Sequence, residues 1–351
     1  MGYGMGASFG SRLKSRGLWA WRRASTRYPK LAVLRRRLAA ASVGSRRARV
    51  VAPEEAGEGL RAANVVWIFC VARSGSTWLA SIMGEMKGTA VWKEPRVGHL
   101  FGEFYENNPK AKTESANFIM GAPAKPAWIS SIRHFVLTGA RYAFPNLGPD
   151  DFLVVKEPGG GVGAPFLMEA LPESRMILLV RDPRDVVSSS LDATREGSWQ
   201  KEQRRAAGSG RKSLTAKQPD AVVKRSAKKY LRNMGRAREA FDAHRGPKAL
   251  VRYEDLLDDT LGAMKRVYSE LGMEAGADPL ARAVEKHSWE AIPEDMKGQG
   301  KFYRKASPGG YEEDLTPRQV EIVEEITAPL LDAFYPRRGS AGAPPDSPLD
   351  V

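Results

Sequence analysis

The sequence predicts an α/β domain, a three-layer arrangement of a parallel sheet flanked by helices. Two observations carry this. Short β-branched apolar runs, of the kind buried on both faces of a parallel sheet, alternate along the chain with stretches of helical periodicity. The first such run is followed by a small polar loop and then a helix, a layout that turns backbone N–H groups and a helix dipole toward an anion. With 351 residues, 42% of them apolar, the chain is long enough to bury a sizeable core.

The elements follow in order. Val65–Val71 reads as the first strand, Ala72–Thr77 as the loop, and Trp78–Met83 as the helix behind it. Phe152–Val155 and Met176–Val180 repeat the strand signal, with Phe166–Leu171 between them as a crossover helix. Ala249–Tyr253 is a fourth candidate strand. Gly159–Gly161 reads as a flexible connector, with close approach of backbone to an acceptor as the alternative, and Arg195–Lys229, rich in Arg and Lys, as solvated helix and loop.

Charge divides the chain. Residues 1–50 hold thirteen Lys and Arg and no acid, whereas from residue 51 onward 42 basic residues face 41 acidic ones. The formal net charge of +14 is thus a property of the N-terminal region, and no nucleic-acid partner is expected for the folded domain. We divide the chain into a basic, flexible N-terminal extension (1–60), the α/β domain (61–337) and a Gly/Ser/Pro-containing tail (338–351). Leu31, Leu34 and Leu38 share a helical spacing among the arginines of the extension. A membrane-surface anchor, a nucleic-acid arm, an organelle transit peptide and a plain solvated extension all fit it. No apolar stretch reaches the length of a membrane span and no signal peptide opens the chain, so the expected location is cytoplasmic, or an organelle if residues 1–50 are a transit peptide. The lone cysteine, Cys70, excludes an intramolecular disulfide and a Cys-cluster metal site. It lies in the first strand and reads as packing. The four histidines, His99, His134, His244 and His287, lack metal-ligand spacing, so no metal is expected.

Two loops carry the chemistry. The first, Arg73-Ser74-Gly75-Ser76-Thr77-Trp78, is a phosphate cradle in layout but lacks the G-x-x-x-x-G-K-[ST] lysine of a Mg²⁺-nucleotide site. The second begins at Arg181, at the carboxyl end of the third run, with Ser189 two helical turns later. Ligands of open α/β sheets bind at the carboxyl ends of strands, and Arg and Ser supply a forked cation and a hydroxyl donor to an anion there.

Together these loops resemble the sulfonate-donor loops of sulfotransferases that use 3′-phosphoadenosine 5′-phosphosulfate (PAPS). The resemblance spans about residues 64–337. It implies the P-loop NTPase-like sulfotransferase fold and 3′,5′-adenosine bisphosphate (PAP) as product, without a metal. It further implies that Arg73 and the backbone of Ser74, Gly75, Ser76 and Thr77 hold the 5′-phosphosulfate, that Trp78 stacks on adenine, and that Arg181 and Ser189 grip the 3′-phosphate. Lys156 resembles the family lysine that follows a strand. Val251–Leu256 resembles its Y-E-D-L segment, with Tyr253 near adenine. Arg304 and Lys305, in Arg304–Tyr311, resemble the late nucleotide-closing loop, although Ala306 and Tyr311 stand where the family has Gly and Trp.

Sulfuryl transfer needs cations on the leaving oxygen, for which Arg73 and Lys156 are the candidates, and a base for the acceptor hydroxyl. The histidine of the cytosolic branch is replaced by Pro158. Glu94, in a Lys-Glu-Pro turn, is the first candidate, Glu157 the second and His99 the third. The alternative for either carboxylate is a solvated or ion-paired surface residue. Trp92, Phe101, Phe104 and Tyr105, near Glu94, suit an aromatic-lined acceptor pocket, with packing in the core as the commoner reading of such a cluster. The expected activity is transfer from PAPS to a hydroxyl or amine of a small-molecule, lipid or carbohydrate acceptor. The rivals are a nucleotide kinase and a non-enzymatic adaptor docking through its basic extension.

Overall fold

Strand β1 (Val65–Cys70) is buried along its whole length, because it has helices on both sides. Val65, Trp67 and Phe69 face one core; Val66, Ile68 and Cys70 face the other. The structure, a computed structural model, describes residues 59–336 apart from 112, 114–117, 195–196, 200–201, 203–217, 302 and 304–306. The possible amphipathic helix around Leu31–Leu38, the C-terminal tail, Arg304 and Lys305 therefore lie outside the described residues.

Among the described residues five strands form one parallel sheet in the order β2-β3-β1-β4-β5. These are β1, β2 (Thr89–Lys93), β3 (Phe152–Pro158), β4 (Arg175–Val180) and β5 (Lys248–Arg252). On one face lie α2 (Lys125–Ala143), α3 (Ala164–Ala170), α5 (Pro219–Ala243) and α9 (Pro317–Phe334), which bury Ile132, Leu167, Met234 and Leu330 against Trp67 and Leu178. On the other lie α1 (Ser76–Met83), α7 (Thr260–Glu270) and α8 (Ala277–Lys286), burying Leu79, Met264 and Leu280 against Ile68 and Ile177. Between β4 and α5 runs α4 (Pro183–Asp192), and α6 (Tyr253–Asp258) follows β5 directly. No described helix is long and apolar enough to cross a membrane.

Four expectations need correction. β2 is an unanticipated strand: it is an edge strand, only half-buried and ending in exposed Lys93, so it carries no continuous apolar run. β3 runs on to Pro158, so Lys156 and Glu157 stand inside the strand, paired with Ile68 and Phe69 of β1. Tyr253 starts a helix instead of ending a strand. The stretch read as solvated is partly core, since α5 buries Val222, Val223 and Ala227.

The chain leaves β1 for β2 on one side, returns through β3, then crosses over β1 to β4. That reversal opens a crevice at the carboxyl ends of the central strands.

Because Trp67 is fully buried and stacked on Phe69 at 5.7 Å, Trp67→Ala should lower the unfolding free energy by about 3–5 kcal/mol in a urea titration.

Candidate active site

Every strand of the sheet delivers a residue to one cavity at its carboxyl edge. Arg73 follows β1, Glu94 follows β2, Lys156 lies near the end of β3, Arg181 follows β4 and Tyr253 follows β5. All five line a cavity of about 230 Å³.

The first loop owes its shape to two left-handed residues, Arg73 (φ 75°) and Gly75 (φ 85°). Gly75 is required twice over: its φ suits glycine, and a Cβ there would lie 2.5 Å from Tyr253 Cδ2. Ser74 is fully buried and donates its hydroxyl to the Val71 carbonyl at 2.7 Å, which ties the loop to the end of β1. Ser76 and Thr77 form the first turn of α1, where backbone N–H groups have no intrahelical carbonyl to reach.

The second loop is joined to the first by direct bonds. Arg73 Nε donates to Ser189 Oγ at 2.9 Å, and Arg181 Nη1 donates to the Arg73 carbonyl at 3.0 Å. The Arg181 guanidinium lies 4.2 Å from the centroid of the Tyr253 ring, and Trp78 meets that ring edge-on at 6.3 Å. Arg181 Nε is buried without a hydrogen-bond partner, so the cavity keeps a cationic donor in reserve. Helix α4 starts cleanly: the Asp182 side chain caps it by accepting from Arg184 N, and Pro183 follows.

Lys156 is almost entirely buried. Its Nζ stands 2.6 Å from Glu94 Oε1 and 3.4 Å from Thr77 Oγ1, while the Glu94 side chain is about half exposed. Candidate base and candidate leaving-group cation are therefore an ion pair at the cavity wall. Glu157, the next residue along, points to the other face of the strand. It accepts N–H bonds from Arg96 and Val97 and does not line the cavity. Burial pushes its carboxyl up to about 7, against the opposing pull of those bonds. His99 also lies outside the lining; burial lowers its pKa, and the neighbouring cation Arg96 adds to the shift.

Trp92, Phe101 and Tyr105 do not line the cavity but pack against the hydrophobic core, and Phe104 meets the Phe118 ring at a tilt, 5.9 Å between centroids. The aromatic lining comes from Trp78, Tyr253, Trp199, Trp289 and Tyr303. Sequence reasoning missed Trp199 and Trp289, as well as His287. The available signal was a large aromatic isolated within a polar loop, where no core explains it.

The late loop and the residues just before it are tied to α4 by two buried carboxylates. Asp185 accepts from the N–H of Gly309 and Tyr311, each at 3.0 Å, and Asp192 accepts from Gly300 N at 3.1 Å. Ser307 lines the cavity; Tyr311 instead lies under the Arg184 guanidinium at 4.5 Å. Among the described residues no group of three or more His, Cys, Asp or Glu could hold a metal ion.

A sequence-family model described as "Sulfotransferase family" matches residues 66–277, more than half of the chain. No curated protein sequence matches the chain. Solved structures similar to it include a mouse sulfotransferase complexed with PAP, at 12% identity and a TM-score of 0.48, covering 77% of this chain and 85% of that one. A sulfotransferase from Mycobacterium avium is 14% identical, with a TM-score of 0.47, covering 78% of this chain and 77% of that one.

The raised Glu157 carboxyl gives a pH test. Its ordinary value is 4.5, so between pH 4.5 and about 7 the folded chain retains a proton that the unfolded chain has released. Stability contributed by this group is therefore lost as pH rises through that window. Glu157→Gln should flatten that fall, by at most about 3 kcal/mol, in denaturant titrations at pH 5 and pH 8.

Proposed function

We propose that this chain, which belongs to the sulfotransferase family, moves the sulfuryl group of PAPS to an acceptor hydroxyl by in-line transfer. The observation that carries the reading is the junction of the two loops: Arg73, Arg181 and Ser189 converge by direct hydrogen bonds, with Lys156 on the same cavity wall.

The residues suit a donor with two anionic ends. The first turn of α1 and Arg73 offer N–H groups and a cation to a 5′-phosphosulfate. Arg181, with its unpartnered Nε, and the Ser189 hydroxyl suit a 3′-phosphate. Trp78 and Tyr253 offer aromatic faces for a purine. When bound, PAPS supplies a sulfuryl group already activated by its link to phosphate.

The chain's own work is then positioning and charge. Lys156 and Arg73 place positive charge where the departing phosphate oxygen gains negative charge, the feature that separates transition state from ground state. Thr77 Oγ1, 3.4 Å from Lys156 Nζ, helps orient that cation. Glu94 Oε takes the proton from the acceptor hydroxyl. Its half-exposed carboxylate leaves room for an acceptor to approach from solvent. We take the acceptor to be an alcohol, phenol, lipid or sugar hydroxyl, with an amine as the alternative.

Calorimetry with PAP tests the donor site. Binding should be micromolar or tighter, about −8 kcal/mol, without Mg²⁺, and Arg181→Ala should abolish it. A Mg²⁺-dependent preference for ATP would overturn the reading. Glu94→Gln should bind PAP as the wild type does but lose about 10²- to 10⁴-fold in kcat when acceptors are screened with labelled PAPS.

A further inference from the structure

We infer that Glu157 is a positioning residue: its carboxylate clasps the backbone of residues 96–97 and so holds Glu94 at the cavity beside Lys156. The inference rests on the reading of Glu94 as the base.

Adjacent residues of a strand point to opposite faces, so β3 sends Lys156 into the cavity and Glu157 away from it. The Glu94 N–H donates to the Lys156 carbonyl at 2.9 Å, continuing the β2–β3 ladder one residue past β2. There the chain breaks away through two left-handed residues that are not glycine, Glu94 (φ 59°) and Arg96 (φ 67°). Such backbone persists only where its surroundings hold it. Glu157 supplies that hold, since Oε1 accepts from both Arg96 N and Val97 N, the second at 3.2 Å. Glu157 is only 1% exposed, so water does not compete for these bonds.

Glycines close the clasp. A Cβ on Gly160 would fall inside van der Waals contact of Glu157 Oε2, and one on Gly98 would strike the Gly160 carbonyl. The run beginning at Gly159, which reads in sequence as a connector, is thus a backbone surface on which the segment after Glu94 packs. The carboxylate is enclosed where they meet. One strand dipeptide therefore sets both partners of the ion pair, Lys156 by its side chain and Glu94 through the grip of Glu157 on the following turn.

The test reads Glu94 directly and needs no acceptor. The full chain, as wild type, Glu157→Ala and Glu157→Gln, is labelled with carbodiimide and glycine ethyl ester, and modification of Glu94 is followed by mass spectrometry. Glu157→Ala should raise Glu94 labelling at least fivefold while the PAP dissociation constant stays within twofold. Glu157→Gln, whose amide oxygen accepts the same two N–H groups, should restore wild-type labelling. Gly160→Ala, which drives a methyl onto the carboxylate with both glutamates in place, should raise labelling as well and serves if Glu157→Ala fails to fold. Unchanged Glu94 labelling in Glu157→Ala and Gly160→Ala would overturn the inference, as would a rise shared equally by Glu173 and Glu254. A wild type that does not bind PAP would instead count against sulfuryl transfer and leave the clasp standing.

Discussion

Strand β1 has no face to give to solvent. With helices packed on both sides, its side chains are spent on two cores, and the polar chemistry that begins with it can sit only where the strand ends. The same constraint governs β3 and β4, whose carboxyl ends flank it in a parallel sheet. Five strands running the same way bring five chain segments to one edge, and the helices that follow turn their N-terminal ends toward it. The site's composition follows from this geometry: cations and hydroxyls from loops and first turns, aromatic faces from the segments that fold back over them.

The charge of the whole chain says little about this edge. Its excess of Lys and Arg lies in the first fifty residues, and the remainder is close to neutral. What matters at the cavity is local pairing. Arg181 has Asp185 at 3.8 Å and Lys156 has Glu94 at 2.6 Å, so the cations are held in register by anions on neighbouring elements. Asp185 also accepts from the backbone N–H groups of Gly309 and Tyr311, so the same carboxylate is a neighbour of Arg181 and an anchor of the segment before the last helix.

Legibility in the sequence followed burial and locality. The central strands announced themselves through runs such as Val65–Val71, because burial on both faces writes a continuous apolar segment. Edge strand β2 did not, since Lys93 and its half-buried neighbours resemble any loop. The two loops that meet at the cavity were legible as loops because each is a short local motif: Arg73 to Trp78, and Arg181 to Ser189. Trp199 and Trp289 were not, because they reach the cavity through tertiary folding of segments far apart in sequence. Glu157 was read as the second candidate base; its place off the cavity was not legible, since which face of β3 it takes depends on the strand continuing past Val155. The partner of the Gly159–Gly161 run was not legible for a related reason: a glycine that permits two backbones to touch looks, in one dimension, like one that permits bending.

Cys70 closes β1 and is the chain's single cysteine. It is fully buried, and burial pushes its thiol up to about 11. At pH 8 only about one such thiol in a thousand is ionised, and the thiolate is the reactive form. Alkylating reagents and mild oxidants therefore find no ready target in the folded domain. A cysteine introduced on its surface would be the one reactive thiol, so a fluorophore or spin label could be attached at a chosen position with the native sequence otherwise intact.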